Sequence, residues 1–317
     1  MSSDTQEDVM QIAQVASWSE KPRYVTAPKP PAPQDSGIQL RVLAAGAHQV
    51  VRSRAAGRHY SAKTLPHCPG VDGVGRDESS GSMYYFMQFG DRFGSFADYV
   101  NVPRSSLVAL PAETDPIAFA ASINPAMSSW MAITQRTSDL PAGWTALVVG
   151  ATSASGRLAA HAAKALGAAK VIGVARDEAA LAADEALDGH IALKDNLTDT
   201  DFSTVQPDVI LDYVYGGVAR HLLTSLRTKK AVQYVQIGML SGQSEMSLPG
   251  PLLRSTNLTM RGAGPGSWST SALGSEMEKL VPLAAKWPAP AATQIPLRDI
   301  EKAWDDRSIK GRVVFVP

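Results

Sequence analysis

TALVVGATSASGRLAAHAAKALGAAKVIGVAR, residues 145–176, decides the fold. Its apolar run Ala146-Leu147-Val148-Val149 ends at Gly150, as a buried strand does on entering a tight turn. After a turn of small residues, Gly156 opens a helix in which Leu158, Ala162 and Leu166 recur on one face, with Ala159 and Ala163 beside them. Gly167 ends that helix, and a second buried strand follows at Val171-Ile172-Gly173-Val174. Strand, turn, helix and strand in this register form a βαβ unit of the kind that seats a dinucleotide pyrophosphate on a helix N-terminus.

The turn departs from a strict GxGxxG. It reads Gly150-Ala151-Thr152-Ser153-Ala154-Ser155-Gly156, with Ser153 where the middle glycine lets the backbone approach the phosphates. Serine is small, and its hydroxyl can itself bond a phosphate oxygen, so Ser153 and Ala154 are expected to face the pyrophosphate. The competing reading is a βαβ unit with an empty turn. Arg176 sharpens the expectation. A carboxylate at the end of the second strand bonds the ribose 2′-OH of NAD, whereas an arginine accommodates a 2′-phosphate. Here the strand ends Ala175-Arg176 with no acid before Asp177, so NADPH is expected over NADH. An ordinary solvated arginine is the alternative.

The 317 residues suffice for two domains, and 30 basic against 30 acidic side chains give no net charge. No global field therefore recruits nucleic acid or an anionic membrane. The one cysteine excludes an intramolecular disulfide and suits a reducing cytosol. The polar, acidic start MSSDTQEDVMQ lacks the features of a signal peptide, and no apolar run approaches the roughly 20 residues that span a bilayer. A soluble cytoplasmic enzyme is the expectation.

Working outward, the first part of the chain predicts short strands at 11–17, 38–44, 82–86 and 96–102, with a short helix near 50–56. The Gly-rich HCPGVDGVG lies between the helix and the strand at 82–86. Tyr84, Tyr85, Phe86, Met87 and Phe89 form either an apolar wall for a flat ring or an ordinary strand and its turn. From Asp115 the pattern is helical, and after residue 145 strands are predicted at 190–193, 209–213, 232–238 and 258–262, with a helix at 217–226. This alternation is α/β, a doubly wound parallel sheet of the Rossmann type. A helix at 271–286 and a strand at 312–316 close the chain.

The segments VLAAGAHQVVRSRAAGRHY, PHCPGVDGVG, GSFADYVNVP, NPAMSSWMA, VVGATSASGRLA, VQIGMLSG and GRVVFVP run in order along nearly the whole chain. Together they resemble the medium-chain dehydrogenase/reductase superfamily, and more narrowly its zinc-independent quinone oxidoreductase branch. The resemblance implies a β-rich, GroES-like substrate domain over 1–123, completed by 267–317, and a Rossmann NADPH-binding domain over 124–266, with a cofactor cleft between them. A homodimer is also implied.

Zinc is judged from the ligands. A four-thiolate site cannot be built from Cys68 alone. Where zinc-dependent relatives carry Gly-His-Glu-x-x-Gly, this chain reads Gly70-Val71-Asp72-Gly73-Val74-Gly75, and Gly46-Ala47-His48 lacks their ligating cysteine. No metal is expected. Without a Lewis acid, an acceptor that spreads the developing charge is the easier target, namely a quinone or an α,β-unsaturated carbonyl.

The same resemblance supplies site candidates. His48 stands where relatives carry an asparagine near the nicotinamide, to orient the acceptor or donate a proton; a packed structural histidine is the alternative. Tyr60, after the first short helix, and Ser129 are the other catalytic candidates, with Ser128 at the nicotinamide half of the cofactor. A core tyrosine and a tight helix contact are their respective alternatives. Gly150, Gly156 and Lys194 belong to the phosphate pocket, Lys194 with a solvated surface role as the competing reading. Tyr215 is assigned to the adenine-ribose side, and Gly238, Met239 and Leu240 to the next strand's carboxyl end. Ala263 and Gly264 would let the backbone approach the nicotinamide ribose. Arg307 matches a position that reaches the cofactor phosphate, or is an ordinary surface arginine. The functional expectation is an NADPH-dependent, zinc-independent oxidoreductase acting on a quinone or enone. A reductase of a specific secondary-metabolite intermediate and a non-enzymatic NADPH-binding sensor are the alternatives.

Overall fold

The computed structural model describes residues 8–33, 37–59, 61–88 and 94–317. Two units divide the chain: residues 1–124 with 284–317, and residues 125–283.

In the first unit the strands are β1 (Val9–Gln14), β2 (Arg23–Pro28) and β3 (Gly37–Gly46), followed by helix α1 (Gln49–Ala55). Then come β4 (Asp72–Arg76), β5 (Met83–Met87), β6 (Tyr99–Pro103) and β7 (Leu107–Leu110). β1 and β2 pair with each other. The larger sheet has the order β14-β15-β3-β4-β5-β7, with β6 also pairing β3, where β14 (Ala292–Pro296) and β15 (Arg312–Val316) return from the C-terminal end. Its core gathers Leu40, Val42, Val51, Phe86, Val100 and Phe315. Phe96 meets Phe315 edge-on with ring centroids 5.0 Å apart, which ties the last strand into this core.

β4 is one strand that periodicity misses, because Gly73 and Gly75 interrupt its apolar pattern. Glycine is there for proximity. A Cβ on Gly73 would stand 2.8 Å from the Ala44 carbonyl oxygen of the neighbouring β3. The Tyr/Met/Phe run forms β5, with Tyr85 and Phe86 buried. Phe89 lies outside the described residues.

Helix α2 (Pro116–Arg136) starts in the first unit and continues in the second. The second unit then alternates β8 (Thr145–Val149), α3 (Ala154–Ala165), β9 (Lys170–Ala175), α4 (Glu178–Ala182), β10 (Gly189–Ala192) and β11 (Val209–Asp212). It finishes with α5 (Gly216–Ser225), β12 (Val232–Gln236), α6 (Gly250–Ser255), β13 (Leu258–Gly262) and α7 (Thr270–Ala284). All six strands are parallel, in the order β10-β9-β8-β11-β12-β13. The apolar runs of the inner strands β8, β9 and β11 are buried on both faces, as a sheet flanked by crossover helices requires. The order reverses between β8 and β11, the point where an open α/β sheet binds its ligand beyond the strands' carboxyl ends.

The chain leaves this unit after Leu283, not at residue 267. α7 is held by its buried residues Leu273, Met277, Leu280 and Val281, and by Glu276, whose carboxylate accepts the Trp130 indole N–H at 2.6 Å. Helix α8 (Ile300–Ala303) lies between β14 and β15.

Candidate functional site

At the switch point, Gly150 turns the chain out of β8 with φ +90°, and the N–H groups of Gly150 and Ala151 both donate to the Val174 carbonyl of β9. α3 begins at Ala154, two residues before Gly156, because Ser153 caps it. The Ser153 Oγ accepts from the Gly156 N–H at 3.0 Å and donates to the Gly150 carbonyl at 2.7 Å. Its only proton is thus spent inside the turn. The expectation that this hydroxyl bonds a phosphate is replaced by a capping role. The donors left for an anion are the Ala154 and Ser155 N–H groups, which have no acceptor among the described residues. Gly156 is required by contact, since a Cβ there would lie 2.2 Å from the Gly150 carbonyl oxygen.

Around this turn the carboxyl edge collects most of the expected cofactor residues. Arg176 directly follows β9, is exposed, and has no hydrogen bond or ion pair to another described residue. Lys194 follows the adjacent β10, also exposed, and its own N–H is fixed by Thr200 Oγ1 at 3.0 Å. Two cations therefore end neighbouring strands. Tyr215 follows β11, half-buried, with φ +62°. Gly238 follows β12 with its N–H on the Asp212 carbonyl, and Met239 and Leu240 after it are 55% and 62% exposed, an apolar pair unlike the sheet behind it. After β13, Ala263 donates to the Gln236 carbonyl, and a Cβ on Gly264 would meet nothing within 4 Å. Arg307 belongs to the other unit, exposed in the turn after α8.

Ser128 and Ser129 both turn back onto the Pro125 carbonyl, at 2.8 and 3.2 Å. Ser129 is 0% exposed and lies 2.5 Å from the Tyr213 phenol, whose pKa burial pushes up. As placed, it joins α2 to the end of β11 and presents no hydroxyl to a substrate. Ser128 is half-buried.

The first unit carries a buried polar chain. The Arg312 guanidinium donates to His48 Nδ1 at 2.5 Å. Because guanidinium nitrogens only donate, Nδ1 is the acceptor and the His48 proton sits on Nε2, which donates to Asp72 Oδ1 at 3.0 Å. The other Asp72 oxygen accepts from the Tyr85 hydroxyl at 3.0 Å. Burial lowers the Arg312 pKa, opposed by the nearby Asp72 charge, and burial raises that of Tyr85 well above the ordinary tyrosine value. His48 is 3% exposed with both nitrogens engaged, so it has no free nitrogen for an acceptor in this arrangement. A metal ion against Nδ1 would face the guanidinium. Tyr60, the other candidate here, lies outside the described residues. Buried Arg54 bonds Ser61 beside it.

No model of a known protein family matches the chain. A protein of Emericella nidulans, the probable NADPH-dependent quinone reductase tdiC, is 40% identical over 357 aligned residues, covering 97% of this chain and 100% of that protein. The chain belongs to the quinone oxidoreductase branch of the medium-chain dehydrogenase/reductase superfamily. Among solved structures, the Thermus thermophilus quinone oxidoreductase is similar at a TM-score of 0.75 and 22% identity, covering 97% of this chain and 100% of that one. A thermostable alcohol dehydrogenase from Pyrobaculum aerophilum gives 0.74 and 21%, covering 98% and 100%. At these identities the likeness is one of fold.

Relative to what residue types suggest for such an oxidoreductase, the structure adds Asp72, Tyr85, Arg312 and Asp212. Asp72 and Arg312 sit 24 and 264 residues from His48, so nothing in the local sequence joins them. Asp212 carried a signal, a carboxylate closing the apolar run Val209-Ile210-Leu211, and the structure buries it completely.

Proposed function

We propose that this oxidoreductase passes hydride from NADPH to a quinone or a similarly conjugated carbonyl compound. The observation that carries the reading is the pair of N–H groups at the α3 terminus that no described residue accepts, at the same carboxyl edge of the sheet as Arg176 and Lys194, whose side chains bond no described residue. Helix N–H groups and dipole suit a pyrophosphate, and a guanidinium fork suits a 2′-phosphate. The Emericella relative's name includes NADPH and quinone, and the Thermus enzyme's structure is described in complex with NADPH.

Bound NADPH supplies hydride at its nicotinamide ring. The chain's own residues hold it: the Ala154 and Ser155 amides at the pyrophosphate, Arg176 with Lys194 at the 2′-phosphate, and Met239 and Leu240 as apolar edge contacts. A quinone that has gained hydride is a phenolate and needs one proton to become a hydroquinone. Tyr60 stays a catalytic candidate on its sequence position after α1 alone. His48, its nitrogens already committed, is proposed to shape the acceptor's surroundings without donating. Enone reduction needs the same arrangement.

Two coarser expectations extend this reading. β13 is an edge strand with Met260 36% exposed, and we assign it to pairing with a second copy of the chain; light scattering giving a monomer at all concentrations would contradict this. No helix of the described residues is long and apolar enough to cross a membrane, and buried Cys68 is unpaired, which fits work in a reducing cytoplasm.

The test of the cofactor reading is Arg176→Ala. Hydrogen bonds to a charged group are worth about 1.5–3 kcal/mol, so the preference for NADPH over NADH in kcat/KM should fall by about tenfold to a hundredfold. An unchanged preference would remove Arg176 from the site.

A further inference from the structure

We infer that Asp212 is a positioning residue for the cofactor, acting through the backbone of Tyr215; the inference rests on the NADPH reading above. Asp212 ends β11 at the switch point and is 0% exposed. A carboxylate there loses its hydration and needs replacement donors. It has three: the Val214 and Tyr215 N–H groups on Oδ1, at 2.8 and 3.0 Å, and the Tyr234 hydroxyl on Oδ2, at 2.5 Å. Burial raises its pKa, and these three donors oppose the rise.

What the carboxylate holds is unusual. Tyr215 has φ +62° and ψ −171°, a combination that glycine occupies and side-chain-bearing residues avoid. The segment it shapes lies against the phosphate turn, since a Cβ on Gly150 would stand 3.1 Å from Val214 and 3.3 Å from Tyr213. The same segment accepts the Leu240 and Ser241 N–H groups on the Tyr213 and Val214 carbonyls. One buried carboxylate thus sets both the β11 and β12 edge turns, where Tyr215, Met239 and Leu240 stand. Strain kept at a binding edge is explained if the Tyr215 ring must face the nucleotide.

The test is calorimetric NADPH binding with Asp212→Ala, Asp212→Asn, Tyr215→Ala, Tyr215→Gly and the double variant Asp212→Ala with Tyr215→Gly. Asp212→Ala should raise the NADPH Kd tenfold or more while kcat at saturating NADPH changes less than twofold. Asp212→Asn, which keeps the Oδ1 acceptor and can donate to Tyr234, should restore Kd to within about threefold of the original. Glycine adopts the strained conformation unaided, so in the Tyr215→Gly background Asp212→Ala should add less than twofold. Equal losses in both backgrounds, or a lowered Tm with unchanged Kd, would make Asp212 a purely structural residue and overturn the inference. If Asp212→Ala does not fold, Tyr215→Ala decides: a Kd within twofold of the original also overturns it. Absence of NADPH binding by the unaltered protein would defeat the cofactor reading itself, a separate outcome.

Discussion

Replacing Asp72 with alanine is expected to cost about 3–5 kcal/mol of stability, the loss seen when one partner of a buried charged network is removed. The variant leaves the His48 Nε2–H and the Tyr85 hydroxyl without an acceptor in a buried place, and strips the Arg312 guanidinium of its countercharge. Asp72→Asn keeps the shape and one acceptor, so its cost should be smaller, about 1–3 kcal/mol. Combining Asp72→Ala with Arg312→Met should recover part of the loss, because the stranded cation goes too. Scanning calorimetry measures this if the transition of the first unit is followed, since a chain of two units need not unfold in one step. A wild-type-like transition in Asp72→Ala would show that the polar chain does not bear on folding.

The second large effect is expected at Gly156. Even the single methyl of Gly156→Ala must find room where the Gly150 carbonyl lies 2.2 Å away, and the Gly150–Ala151 backbone cannot swing aside as a long side chain would. The helix start has to move off β8, at a cost of about 1–3 kcal/mol or more, carrying the Ala154 and Ser155 N–H groups out of line. NADPH affinity should fall at least tenfold. Gly264→Ala is the control, because nothing lies within 4 Å of its added methyl; its stability should stay within about 0.5 kcal/mol. If the two alanine variants behave alike, close contact is not the reason for glycine at 156.

The nucleotide unit was legible because its signals are local. Buried parallel strands read as apolar runs, and small residues mark the tight turn from β8 into α3. Details that depend on three-dimensional partners were not. Ser153 looked like a phosphate ligand by residue type, and only the positions of Gly150 and Gly156 show its hydroxyl closed into a cap. By residue type Ser129 and His48 read as reactive groups, yet burial and partners brought from distant segments commit both. β4 hid behind glycines chosen for close packing, and β2, β7 and β14 are short strands whose pairing partners define them. Glu276 of α7 reaches Trp130, a contact across 146 residues that no local pattern shows.

The central claim is that the β8–α3 turn and Arg176 grip a nicotinamide cofactor carrying a 2′-phosphate. Calorimetric titration of the full-length protein with NADPH and, separately, with NADH tests it most directly. Saturable NADPH binding at least tenfold tighter than NADH is expected. No heat with NADPH, or equal affinity for the two, would contradict it.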